Sequence, residues 1–166
     1  MRVQDDAGCG CGRTQDEWDR QGAVRNQVLM WLPHIVGAFA IAKHRPCKLL
    51  YYVPGVVAFY TWWRRFVCAR CRYYGRPCST MLGVMTARMM PRDEAKALDR
   101  NTMIADLAFL GALWLIPLPQ ALKSFKTAIL YLGSLAGITG SILSDACGRC
   151  GNEFCPMKDV RDNLMG

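Results

Sequence analysis

Charge is scarce in this 166-residue chain: Asp, Glu, Lys and Arg together make 20% of it, and 13 acidic residues stand against 21 basic ones. A soluble domain of this size usually carries about a quarter charged residues. Histidine is scarcer still, with two in the whole sequence. No apolar run occupies the first 25 residues, which hold Asp5, Asp6, Asp16, Glu17 and Asp19 against four arginines, so nothing there reads as a cleavable secretory signal. No phosphate-binding glycine loop, hydrolytic triad or paired-carboxylate arrangement is present, which leaves no sequence ground for a nucleotidase or a hydrolase. What is abundant is apolar: 52% of the residues are hydrophobic. Intrinsic disorder is therefore unsupported. A secreted disulfide knot would not need long apolar tracts and would carry a signal, so the nine cysteines call for another explanation.

The apolar residues gather in four blocks, near 27–42, 49–67, 101–120 and 124–144. A membrane-crossing helix needs roughly 20 apolar residues, with about 17 at the short end. Blocks that are apolar on every side leave no solvent face for a soluble bundle. The expectation is an all-α integral membrane protein with four transmembrane helices arranged as two hairpins. The first hairpin covers 27–67, turning at the polar stretch 43–48, and the second covers 101–144, turning at Pro117-Leu118-Pro119. They are flanked by an N-terminal segment 1–26, a basic loop 68–100 and a tail 145–166. Four basic residues lie in 1–26, nine in 64–100 and three in 145–166, sixteen in all, against five in the two short turns. Positive charge stays inside, so both termini are expected in the cytoplasm and the protein in the cytoplasmic (inner) membrane. The same topology accounts for the basic balance, and no nucleic-acid partner is expected.

Inside the spans, Pro33 and Pro54 predict kinks. His34 would need His44 as a second axial ligand to hold a haem, and ten helical residues separate the two by about 15 Å; a hydrogen-bonded structural histidine is expected instead. Gly133, Gly137 and Ser141 recur every four residues on the fourth span, a stripe of the type that lets membrane helices approach closely.

Eight of the nine cysteines fall on the predicted cytoplasmic face. Cys9 and Cys11 form a C-x-C. Cys68, Cys71 and Cys78 follow directly from the second span, and Cys147, Cys150 and Cys155 follow directly from the fourth. Only Cys47 lies in the opposite turn. Each hairpin thus ends in a hook of C-x2-C plus a third cysteine, and bundling the helices would bring the two hooks together beneath the membrane. A C-x2-C knuckle turns two sulfurs toward one ion, as in cysteine-ligated zinc and iron–sulfur sites. In a reducing compartment such pairs serve metal or redox sites more often than structural disulfides. Cys68, Cys71, Cys78, Cys147, Cys150 and Cys155 are the candidate ligands, with Cys9 and Cys11 as further ones. Eight sulfurs suffice for two four-cysteine sites; alternatively Cys68, Cys71, Cys147 and Cys150 close one.

Gly148 and Gly151 around Cys150 resemble the turn of a zinc knuckle, whereas Cys155-Pro156 resembles the Cys-Pro ending of ferredoxin cluster motifs. Loop 64–100, with nine basic and three acidic residues, would stabilise the net negative charge of a thiolate-held cluster. An iron–sulfur cluster, 4Fe-4S by preference, is therefore the favoured cofactor, with zinc as the alternative. Asp145, two residues before Cys147, is placed to orient a ligand thiolate. Met81, Met85 and Met89 form a soft apolar stripe, and Tyr73-Tyr74 and Trp62-Trp63 read as interfacial aromatics. Three functions follow: an electron-transfer or membrane-anchor subunit of a redox complex; a zinc-stapled membrane adaptor without catalysis; and a thiol–disulfide membrane oxidoreductase, which needs its cysteines on the oxidising side, opposite to the orientation set by charge. Besides the lipid bilayer, a soluble or membrane protein partner is expected over the cytoplasmic face.

Overall fold

The computed structural model describes residues 19–147, 150 and 155–165. Cys9 and Cys11 lie outside the described residues, and of Asp145 only the backbone is described. All regular structure among the described residues is helical, with no strand.

Helix α1 (Arg20–His44) begins seven residues before the first apolar block, because Asp19 caps it. The Asp19 carboxylate accepts from the backbone N–H groups of Gln21 at 3.3 Å and Gly22 at 3.0 Å, satisfying two donors that a helix start otherwise leaves unpaired. Lys43 and His44 in its last turn complement the negative end of the helix dipole. A short turn at Pro46–Lys48 leads into α2 (Leu49–Tyr60). This helix stops at Thr61, whose hydroxyl donates to the Val57 carbonyl at 2.7 Å, a local bond that competes with continuation of the helix. The chain turns through 61–63 and re-forms a helical turn, α3 (Arg64–Val67), so the second apolar block is one broken helix. After the first hook comes α4 (Leu82–Met89). Helix α5 (Arg100–Leu115), capped by Asp99, passes through Pro117 into the short α6 (Leu118–Ala121). Helix α7 (Phe125–Ser141) runs into a π-helical turn at Ile142–Ala146, and α8 (Pro156–Met165) closes the chain.

Among the described residues, two stretches are long and apolar enough to cross a membrane: Arg100–Ala121, with 22 residues, and Phe125–Ser144, with 20. In α1 the apolar run is diluted by Asn26, Gln27, Pro33 and His34, and α2 has only 12 residues. The diluting residues of α1 occupy its buried face, while Val24, Val28, Leu32, Ile35 and Phe39 are exposed. That distribution is the reverse of a water-soluble amphipathic helix.

Helix α1 packs chiefly along α7 and α6, α2 along α5, and α3 against both α4 and α5. The core between them includes Ile41, Tyr52, Phe59, Leu113 and Ile138. The His34 ring shares a 3.1 Å hydrogen bond with the Tyr52 hydroxyl through Nδ1 and packs edge-on against Tyr60, as expected of a structural histidine. Close approach of helices occurs at Gly37, where a Cβ would lie 2.8 Å from Pro117 Cγ and 2.9 Å from its Cβ. It does not occur at the expected stripe: a Cβ on Gly133 or Gly137 would meet nothing within 4 Å. Those glycines instead line a shallow apolar groove of about 340 Å³ with Leu29, Leu32 and Val36. Ser141, at the end of the stripe, does reach α1, its hydroxyl donating to Asn26 Oδ1 at 2.7 Å.

Candidate metal centre

The first hook is built on backbone turns. Cys68 caps α3, and the Cys71 N–H donates to the Cys68 carbonyl at 3.3 Å, which makes the knuckle of the C-x2-C pair. Successive turns follow at Tyr74 and Arg76. Gly75, at φ +77°, takes the left-handed conformation that favours glycine and donates its N–H to the Gly83 carbonyl at 3.2 Å. Gly83 lets the start of α4 press onto this loop: a Cβ there would lie 2.5 Å from the Tyr73 carbonyl oxygen and 2.7 Å from that of Arg76. Cys78 is fixed through both ends, its N–H and its thiol each donating to the Thr80 carbonyl at 3.0 Å. Asn26 of α1 donates to the Ser79 carbonyl at 2.9 Å, so the hook is tied to the first helix as well as to the second.

The second hook leaves α7 through the π-helical turn, in which the Cys147 N–H donates to the Ile142 carbonyl at 2.8 Å. A π-turn inserts one residue into the helical register, a feature frequent at functional sites, and here it buries Cys147. Cys155 immediately precedes Pro156, the first residue of α8, a position where proline's missing N–H and fixed φ suit helix initiation. An exposed ion pair of 2.8 Å between Arg100 and Asp159 joins α8 to the start of α5, folding the hook back beneath the helices.

All six hook cysteines line one cavity of about 180 Å³, whose walls include Met30, Arg64, Asp106 and Ile142. Cys68, Cys71 and Cys78 belong to the first hook and Cys147, Cys150 and Cys155 to the second, and 69 positions of sequence separate Cys78 from Cys147. Cys68, Cys78 and Cys147 carry thiols, not disulfides. Among the described residues, no group of three or more His, Cys, Asp or Glu side chains is drawn together closely enough to hold a metal ion. Burial pushes the thiols of Cys68 and Cys147 up to about 11. A coordinating metal overturns that preference, since it binds the thiolate and releases the proton.

Arg64 is one of nine basic residues in 64–100, and the structure gives it a specific place. It is 3% exposed. Its Nε donates to the Phe59 carbonyl at 3.0 Å and its guanidinium lies 4.2 Å from the Phe59 ring centroid. One terminal nitrogen stands 3.9 Å from Cys68 Sγ, and the group pairs with the Asp106 carboxylate of α5. Trp63 Nε1 donates to the same carboxylate at 2.9 Å. The sequence signal was present but faint: Arg64 and Cys68 are four apart on one helical face, and Asp106 is a lone acid inside an apolar block.

Of the other expected features, Cys47 is exposed in the turn at the far end of the helices from the cavity. Met85 packs against the core, whereas Met89 stays exposed, so the methionine stripe is divided between inside and outside. Comparison of the chain with protein-family models, curated proteins and solved structures finds no match.

Proposed function

We propose that this chain is a four-span protein of the cytoplasmic membrane whose two hooks together hold a metal centre, serving as the electron-transfer or membrane-anchor subunit of a redox complex. The observation that carries this reading is the convergence of six cysteines, three from each of two hooks far apart in sequence, on one cavity beneath the helices. The membrane part is supported by the two long apolar stretches and by the inverted face of α1, which buries Asn26, Gln27 and His34 and exposes valine, leucine, isoleucine and phenylalanine. In lipid that arrangement is favourable and in water it is not. Helix α1, 25 residues long, extends about 37 Å, and the broken helix from α2 through α3 extends the first hairpin back.

Cys68, Cys71, Cys147 and Cys150 are the minimal ligand set, and Cys78 and Cys155 line the same cavity. A 4Fe-4S cluster bound there would supply one-electron chemistry. The chain's own part is to fix the sulfurs, exclude water and set the local field. Arg64 contributes to that field: a buried cation 3.9 Å from Cys68 Sγ stabilises a thiolate and offsets the negative charge of a thiolate-held cluster. Zinc is the second reading, favoured by Gly148 and Gly151 flanking Cys150 in the manner of a zinc knuckle. The exposed Met89 and Val160 give the cytoplasmic side apolar contact points for a protein partner.

Serine substitutions test the shared site. Cys71→Ser and Cys150→Ser should each strip most of the metal from anaerobically purified protein. The double substitution should lose less than the sum of the two, because residues of one site are non-additive. Additive losses would mean that each hook binds its own ion.

A further inference from the structure

The outer face of α2 exposes Leu50, Val53 and Val57, and the exposed apolar surface continues to Trp62, which is 60% exposed just beyond the helix. There the chemistry changes abruptly. Trp62 forms one wall of a cavity of about 460 Å³ whose other lining residues are Arg65, Met90, Pro91, Arg92 and Asp93. A second cavity of about 440 Å³ adjoins it, sharing Arg92 and Asp93 and adding Arg70, Arg72 and Lys96. Five cations and two acids, Asp93 and Glu94, thus surround the pair. The Asp93 carboxylate is already engaged, accepting from Arg70 Nε at 2.8 Å and from the Ala95 N–H at 3.2 Å, and this Arg70 bond holds it below the usual carboxylate range. Among the described residues Arg65 and Arg92 form no ion pair. The walls are fixed. The Asp93 N–H donates to the Ala69 carbonyl at 3.0 Å, and Trp62, Phe66 and Arg70 pack in a row, with Phe66 edge-on to Trp62 at 5.2 Å and Arg70 5.6 Å from the Phe66 ring centroid.

We propose that the Trp62–Arg65–Arg92 cavity binds the phosphate of an anionic phospholipid headgroup, with the acyl chains lying along the exposed face of α2. Guanidinium groups match phosphate oxygens bidentately, and tryptophan favours the headgroup depth of a bilayer. A choline headgroup would bring its own cation against the five already present. The site sits on the loop with the largest basic excess, the side on which anionic lipids of the cytoplasmic leaflet would meet it. It rests on the membrane part of the functional reading and not on the metal.

The test is native mass spectrometry of the full chain in a neutral mild detergent, titrated with phosphatidylglycerol or phosphatidylcholine of the same chain length. Phosphatidylglycerol should be retained preferentially. At about a fivefold loss per basic group, Arg65→Gln and Arg92→Gln should each weaken its binding about fivefold, and the double variant about 25-fold. Arg88→Gln, on α4 outside both cavities, should weaken it clearly less than either cavity substitution. The proposal is overturned if the two lipids bind equally or if Arg88→Gln weakens binding as much as the cavity substitutions, since the attraction is then diffuse. It is also overturned if equimolar inorganic phosphate displaces the lipid, which would make the cavity a site for free phosphate. Should the glutamine variants lose helical content, Arg65→Lys with Arg92→Lys replaces them: retained charge without the planar fork should still reduce binding. A chain that purifies without detergent as a soluble monomer would refute the membrane reading itself, whereas a detergent-purified chain with no phosphatidylglycerol preference refutes only this site.

Discussion

Arg64 and Asp106 offer the sharpest test of how the hairpins and the first hook are held together. The guanidinium is 3% exposed and the carboxylate 15%. Replacing Arg64 with Met keeps most of the side-chain volume but leaves the Asp106 carboxylate with Trp63 Nε1 as its remaining partner. Breaking a buried ion pair from one side costs about 3–5 kcal/mol, because an uncompensated charge stays behind. Asp106→Leu strands the guanidinium in the same way, though its bond to the Phe59 carbonyl and its place over the Phe59 ring remain. The double variant removes both charges and takes from Trp63 Nε1 and from the Phe59 carbonyl the partners they have here, a residual cost of about 1–3 kcal/mol for each group. The expected result is two severe singles and a double milder than their sum. Thermal unfolding of the full chain in a mild detergent, followed by far-ultraviolet circular dichroism, measures all four proteins. Single substitutions costing less than about 1 kcal/mol and adding in the double would refute the reasoning, because exposed pairs behave that way and buried pairs do not. The pair also borders Cys68, so Arg64→Met should release metal more readily than Arg64→Lys, which keeps the positive charge.

Gly83→Ala should destabilise the first hook by about 1–3 kcal/mol, because the new Cβ meets the backbone oxygens of Tyr73 and Arg76, which cannot rotate away; a variant with unchanged stability and metal retention would contradict the packing. Labelling of intact cells with an impermeant thiol reagent should modify the exposed Cys47 from outside and leave Cys71 and Cys150 protected, and the reverse pattern would overturn the orientation.

The helices were legible in the sequence because their signals are local. Apolar blocks mark where they run, and Asp19 and Asp99 mark their starts, but the turn expected at Pro117-Leu118-Pro119 falls later, at 122–124, because the helical stretch Arg100–Ala121 continues through those prolines. The two hooks were legible for the same reason, since C-x2-C spacing and position after a helix are properties of a few consecutive residues. That His34 would be structural was also readable, because no second histidine lay within reach. What escaped was non-local. The Arg64–Asp106 pair joins residues 42 positions apart, and only packing of α3 against α5 selects that arginine from nine. The break in the second apolar block depends on the Thr61 hydroxyl competing for a carbonyl, which an apolar average does not register. The small-residue stripe on α7 was visible as a pattern, but which glycine meets a neighbour depends on helix placement, and the contact falls to Gly37 against Pro117.

The central claim is that the six cysteines around one cavity bind a metal shared by both hooks. The most direct measurement is the metal content per chain of protein purified anaerobically from native membranes, taken together with its absorption spectrum. About four irons per chain with a broad band near roughly 400 nm is the predicted result for a thiolate-ligated 4Fe-4S cluster. A colourless protein holding zinc would move the account to its second reading, and a metal-free protein with all its hook thiols open to alkylation would contradict the claim.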